Sequence, residues 1–284
     1  MTHASVRTPS KSPVSTGGNG MRGGFRRIGS MTIFVLLILF IIPALAHVAV
    51  WQLQDRPGSW RNADWSSAGI LPRTLPREAA EIMVLDARTG GLKGALSVHS
   101  WIVVKVPGEV RYRRYDVVGW GPALRRDVYA PDARWYSNEP NIRHRVTGED
   151  AARAIPELLA AIESYAYAGR GDYTIWPGPN SNSFVAEVLR AVPQLGFSTS
   201  PLGVGRDFAR GPVLTLKNGM LRASLWGYAG FQVGLSSGIE LNFLGLVTSI
   251  NPNARLAALP GFGEFRLRQG GQNGTREPSS DTSS

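Results

Sequence analysis

The chain has 284 residues, 43% of them hydrophobic and 18% charged, enough for one globular domain with a small extra element and too few for three domains. It has no cysteine, which excludes disulfides, thiolate metal sites and cysteine nucleophiles. The formal charge is +10, but residues 1–30 hold Arg7, Lys11, Arg22, Arg26 and Arg27 and no acid, so half of the excess belongs to a tail. The densest basic stretch, Lys105 to Arg145, mixes nine basic with five acidic residues. That is the pattern of a solvated face, with anionic substrates or lipid headgroups as the other reading, and no nucleic-acid partner is expected.

Residues 1–30 are rich in Gly, Ser, Thr and basic residues and are expected to form a disordered cytoplasmic tail. Met31 to Trp51 contains no Asp, Glu, Lys or Arg. As a helix it is about 30 Å long, the thickness of a bilayer's hydrocarbon, so 31–52 reads as a transmembrane anchor. Arg22, Arg26 and Arg27 keep its N-terminal side in the cytoplasm. The rival is a signal peptide, with Ile33–Ile42 as its apolar region, Pro43 as breaker and Ala44-Leu45-Ala46 as cleavage site. Both readings export the rest, to the periplasmic side of an inner membrane, and make the lipid bilayer a partner. Residues 53–75 read as a linker, 76–266 as the exported domain and 267–284 as a disordered tail.

Within the domain, Glu81–Ala87 and Ser97–Val106 read as strands, and Val110–Trp120 as a return strand after a tight turn at Pro107-Gly108. Thr147 and Asp150 resemble a capping box ahead of a helix with Ile155, Leu158, Leu159, Ile162 and Tyr165 at helical spacing, Pro156 falling in its first turn. A second helix is expected over Ser181–Val192, with Phe184, Val185, Val188 and Leu189 buried. Val213–Ile250 reads as further strands. Its part from Leu225 has only Glu240 charged, so it is either buried core or a surface facing the bilayer or an acyl chain.

Four histidines are present. His3 is in the tail and His47 in or beside the anchor, which leaves His99 and His144, the latter expected in a loop or on the surface. A two-residue turn at Pro107-Gly108 pairs residues whose numbers sum to 215. His99 then faces Asp116, and Trp101 faces Arg114. Asp116 could fix the His99 tautomer and leave the other nitrogen as a base; the plain reading is a structural His–Asp pair. The segment PGPNSNSFV, residues 177–185, opens the second helix. Ser181 sits there at the positive end of a helix dipole, beside N–H groups able to hold an oxyanion, although Asn and Ser are also the preferred caps.

A histidine on a strand, a polar partner on the next strand and Asn-Ser-x-x-Phe at a helix start resemble the circularly permuted papain-like families, the NlpC-type and lecithin–retinol-acyltransferase-like proteins. Asn180, Ser181 and Phe184 match their Asn-Cys-x-x-Phe motif, with serine in place of cysteine. His99 matches the family's histidine, and Asp116 its orienting residue. DWSSAG, VHSWIVVK, RYDVVGWG and PGPNSNSFV also resemble an uncharacterised bacterial family of membrane-anchored envelope proteins, over about residues 55–265. The papain-like resemblance implies an α+β fold, a permuted papain-like core of antiparallel sheet and helices behind one transmembrane helix. It also implies a serine-dependent amidase or acyltransferase on peptide or lipid envelope material. Ser181 would attack, His99 would be the base, Asp116 would orient it, and Asn180 or the helix amides would position the oxyanion. The alternative is a non-catalytic envelope-binding or scaffold module. The Gly-x-Ser-x-Gly match at 234–238 lacks a following histidine and reads as a hairpin turn. No metal site and no cofactor are expected.

Overall fold

The computed structural model describes residues 19–217, 219–235 and 238–267. Residues 1–18 of the tail expected at 1–30, residues 268–284 of the tail expected at 267–284, and the turn residues Ser236 and Ser237 lie outside the described residues. The chain divides into two compact units, residues 1–38 and 39–284.

Helix α1 runs Asn19–Leu36 and is followed by a π-helical turn, Leu37–Ile41, and α2, Ile42–Gln52. The helix therefore begins twelve residues before the expected boundary at Met31. Pro43 does not end the helical run. It stands in the first turn of α2, where a missing N–H loses nothing. Gly29–Gln52 is long and apolar enough to cross a membrane, with a mean hydropathy of 2.9.

The second unit holds two antiparallel sheets. The first has five strands in the order β4-β3-β2-β1-β5: β1 is Glu81–Arg88, β2 Val98–Lys105, β3 Arg113–Val117, β4 Leu124–Arg126 and β5 Asn141–Thr147. Every residue of β2 is buried, because side chains cover both faces. Ile82, Val84, Ile102 and Val104 meet α3 (Gly148–Glu163) and α4 (Ser181–Ala191) on one face. Met83, Leu85, Trp101 and Val103 meet Leu71 and Trp135 on the other. Pro156 lies in the middle of α3 rather than in its first turn. It is exposed, as is Ala152 one turn earlier, so the carbonyl that proline leaves unbonded faces solvent.

The turn at Pro107-Gly108 forms as expected: Glu109 N donates to Val106 O at 3.2 Å, and Gly108 takes φ 89°, which glycine alone adopts without strain. The ladder beyond it does not follow. Val103 pairs with Arg114 and Ile102 with Tyr115, so paired numbers sum to 217 and not 215. Residues between the turn and Arg113 lengthen the return arm. Because the slip is two residues, side chains keep their faces. Arg114 Cζ still lies 4.2 Å from the Trp101 ring centroid.

The second sheet is a seven-stranded meander, β6 to β12 in sequence order: Pro212–Lys217, Met220–Leu225, Ala229–Gly234, Gly238–Phe243, Leu246–Asn251, Leu256–Leu259 and Gly263–Arg266. β8 and β9 pair as a hairpin, with Gly234 opposite Gly238, and not as the strand and helix that a nucleophile elbow requires. The registers align Leu216, Leu221, Val233, Ile239, Ile250, Ala257 and Phe265 in one row across all seven strands. The adjacent row, on the other face, is Thr215, Arg222, Gln232, Glu240, Ser249, Ala258 and Glu264. The loop before β6 crosses this polar face. Arg206 pairs with Glu240, and Asp207 accepts from Arg222 and Asn242. Gly227, at φ 80°, lets the β7–β8 turn lie against the backbone of Asp207 and Phe208. The polar face is therefore turned toward the rest of the unit, and the apolar face away from it.

Candidate functional site

Helix α4 begins where two prolines and a glycine end the preceding loop, and Asn180 caps it. Asn180 Oδ1 accepts from Asn182 N (2.9 Å) and Ser183 N (3.1 Å), and its carbonyl accepts from Phe184 N (3.0 Å). Ser183 Oγ accepts in return from Asn180 N at 2.6 Å, a reciprocal capping box. Three of the four N–H groups at this helix start are thus occupied by the cap itself. Asn180 Nδ2 donates to Ile175 O (2.9 Å) and Val204 O (3.0 Å), so both of its side-chain hydrogens are also committed. The Asn180 side chain is thus committed, and of the four N–H groups only that of Ser181 is not taken by the cap.

Ser181 is 2% exposed. It precedes Phe184, Val185 and Val188 by three, four and seven residues, so it belongs to the stripe of α4 that packs on the five-stranded sheet. Asn182 ties that helix to β2: its Oδ1 accepts from Ser100 Oγ (2.8 Å), and its Nδ2 donates to Val98 O (3.0 Å) and Val204 O (2.9 Å). Ser100 therefore points toward α4, and His99, its neighbour on the strand, points to the opposite face.

There His99 is 4% exposed and lies flat on Trp135, with ring centroids 3.6 Å apart and planes 5° apart; Trp101 is 5.9 Å away. His99 Nε2 is 3.9 Å from Asp116 Oδ1, so the sequence's pairing of these two residues is close in space but longer than a hydrogen bond. The nearer partner of Asp116 is Arg114, whose Nε donates to Oδ2 at 2.7 Å. Arg114 is 0% exposed and also donates to Ala130 O at 2.9 Å. Burial, and secondarily the Arg114 charge, hold His99 well below its usual 6.5, so it is neutral at pH 7. Burial raises Asp116, with Arg114 opposing. His99 Nε2, Asp116 Oδ1 and Arg114 Nη2 are buried without a protein partner, the common condition of a polar cluster that a water could complete.

The structure thus brings His99 and Asp116 together, and places Asn180 and Ser181 on the helix that packs against the other face. No hydrogen bond joins Ser181 to His99. Trp135, Arg114 and Asn182 were not assigned to the site from sequence. Arg114 and Asp116 are two apart on a strand, hence on one face, and that spacing was the available signal. His144, expected in a loop or on the surface, is on strand β5 and half-buried, with its ring 4.7 Å from that of Phe197 and Nε2 2.7 Å from Ser198 O. Among the described residues, no group of three or more His, Asp or Glu could hold a metal ion. A groove of about 510 Å³ lies elsewhere, between α4 and the edge strand β6, lined by Tyr167, Glu187, Arg190, Phe208, Arg210 and Arg222.

The architecture is an α+β domain of two antiparallel sheets behind one N-terminal apolar helix. A family model described as "Protein of unknown function (DUF3750)" matches residues 79–208. That stretch begins just before β1 and ends in the loop that crosses the polar face of the second sheet, so the meander lies outside it. No curated protein and no solved structure matches the chain, and nothing in these comparisons supports the papain-like relationship.

Proposed function

We propose that this protein is a non-catalytic envelope-binding or scaffold module. Gly29–Gln52 anchors it in the inner membrane, and its two sheets lie on the periplasmic side. The observation that supports this reading is where the two residues stand: Ser181 is buried on α4, which packs on one face of the first sheet, while His99 lies flat on Trp135 on the other face. A nucleophile and its base must approach within hydrogen-bond reach, and no hydrogen bond joins these two. The open groove between α4 and β6 is the place where a ligand could enter, and its three arginines suit an anionic group.

The wild-type chain has no cysteine, so Ser181→Cys supplies a single thiol. The reading predicts that this thiol reacts with a fluorescent iodoacetamide only when the protein is unfolded. The second reading, an amidase or acyltransferase with Ser181, His99 and Asp116 in the roles given above, is favoured by the 3.9 Å approach of His99 to Asp116. It predicts rapid labelling of the folded variant, lost when His99→Ala is added.

A further inference from the structure

Soluble domains turn the apolar face of a half-covered sheet inward. The seven-stranded meander does the reverse. Its outward rows carry no charged side chain among the described residues, whereas Arg222, Glu240 and Glu264 all lie on the rows turned inward. The outward side chains are open: Leu214 is 75% and Leu216 76% exposed, and Leu221, Phe231, Val233 and Ile239 are exposed as well. An apolar surface of this extent marks a contact with something apolar.

The apolar helix identifies what that is. The outward rows include Phe243 and Thr248, and both meet the helix: Phe40 and Phe243 have ring centroids 5.8 Å apart, and Thr248 Oγ1 donates to Leu39 O at 2.6 Å. Leu39 lies thirteen residues from Gln52, the outer end of the span. At 1.5 Å per residue this is roughly 20 Å, so the contact lies about midway along the apolar span. The face that continues laterally from this contact meets the same medium as the helix. Trp226 and Tyr228, exposed in the β7–β8 turn, flank it where the sheet meets Asp207 and Phe208, as interfacial aromatics do.

We infer that the apolar face of the β6–β12 meander is immersed in the acyl chains of the bilayer, making the domain a monotopic plate as well as an anchored one. Unpaired strand edges are not tolerated in lipid, so immersion involves the side chains of one face. The polar face stays against protein at its middle, and at the edge strands β6 and β12, where Thr215, Lys217 and Glu264 are exposed, it meets water and headgroups. The inference rests on the anchor reading of Gly29–Gln52.

The test uses the full chain in vesicles of phosphatidylethanolamine and phosphatidylglycerol, with single cysteines along β6 carrying an environment-sensitive fluorophore. Leu214→Cys and Leu216→Cys report the outward face, and Thr215→Cys and Lys217→Cys the other; all four positions are exposed, so labelling leaves the packing intact. Nitroxide-bearing lipids are expected to quench positions 214 and 216 about twofold more than 215 and 217, and aqueous iodide to do the opposite. The inference is overturned if 214 and 216 are open to iodide on vesicle-bound protein, or if they crosslink to a second copy while shielded from lipid. A chain that fails to float with the vesicles overturns the anchor reading along with it.

Discussion

Strands β2 and β8 are both antiparallel and central in their sheets, yet they meet their surroundings in opposite ways. All eight residues of β2 are buried, and two of its polar members are matched individually: Ser100 by Asn182, and Lys105 Nζ by the carbonyls of Arg77, Ala79 and Val106. β8 alternates. Gln232 faces inward, while Phe231 and Val233 face out and are exposed. The first sheet is stabilised by burial on both faces. The second is held through its polar side, where Arg206 and Asp207 bind it to the loop, and its apolar side is left for another medium. The match to a family of unknown function ends at residue 208, between the two.

Matched substitutions sharpen this contrast. Val103→Asp places a charge between two packed layers and is expected to cost several kcal/mol and to unfold the domain. Val233→Asp, on the outward face, is expected to change thermal stability in detergent by less than about 1 kcal/mol. Circular dichroism melts of the two variants compare them directly, and equal losses would break the distinction. Asp116→Ala leaves the Arg114 guanidinium, 0% exposed, without its carboxylate and is expected to cost about 3–5 kcal/mol. If it costs nothing, the polar cluster is not part of what holds the first sheet.

Asn180→Ala removes the cap of α4 and the bonds to Ile175 and Val204, an expected loss of about 1–2 kcal/mol in urea titration. A further effect is a pH dependence. The folded state holds His99 well below 6.5, whereas the unfolded chain titrates near 6.5. As pH falls below about 6.5 the unfolded state gains a proton that the folded state refuses, so stability is lost toward acid, by at most about 1.4 kcal/mol per pH unit from this group. His144 is shifted the same way, so the His99 share is read as the difference between wild type and His99→Phe from pH 7.5 to 5.5. Identical slopes would place His99 in a solvated setting.

Much of the first sheet is legible in the chain. The runs EIMVLDA and VHSWIVVK form strands, and the helical stripe from Phe184 to Leu189 is buried as its spacing implies. The ladder register is not legible, because the extra residues after the Pro107-Gly108 turn leave no periodic mark. The faces of β2 are hidden for a related reason. Both sides of the strand are apolar apart from His99, Ser100 and Lys105, so nothing in it says that Ser100 and not His99 meets α4. In the second sheet the alternation Leu214, Thr215, Leu216, Lys217 is plain. The general rule that apolar side chains turn inward predicts the wrong orientation, and only the loop carrying Arg206 and Asp207 reverses it.

The most direct test of this contrast is spin-label accessibility, read continuously along β8 (Ala229–Gly234) and β2 (Val98–Lys105) in the vesicle-bound full chain. The account predicts a two-residue oscillation along β8, with oxygen access highest at positions 229, 231 and 233, and uniformly low access to oxygen and to a water-soluble nickel reagent along β2. Access to the nickel reagent at 229, 231 and 233, or an unbroken low profile along β8 like that of β2, would contradict it.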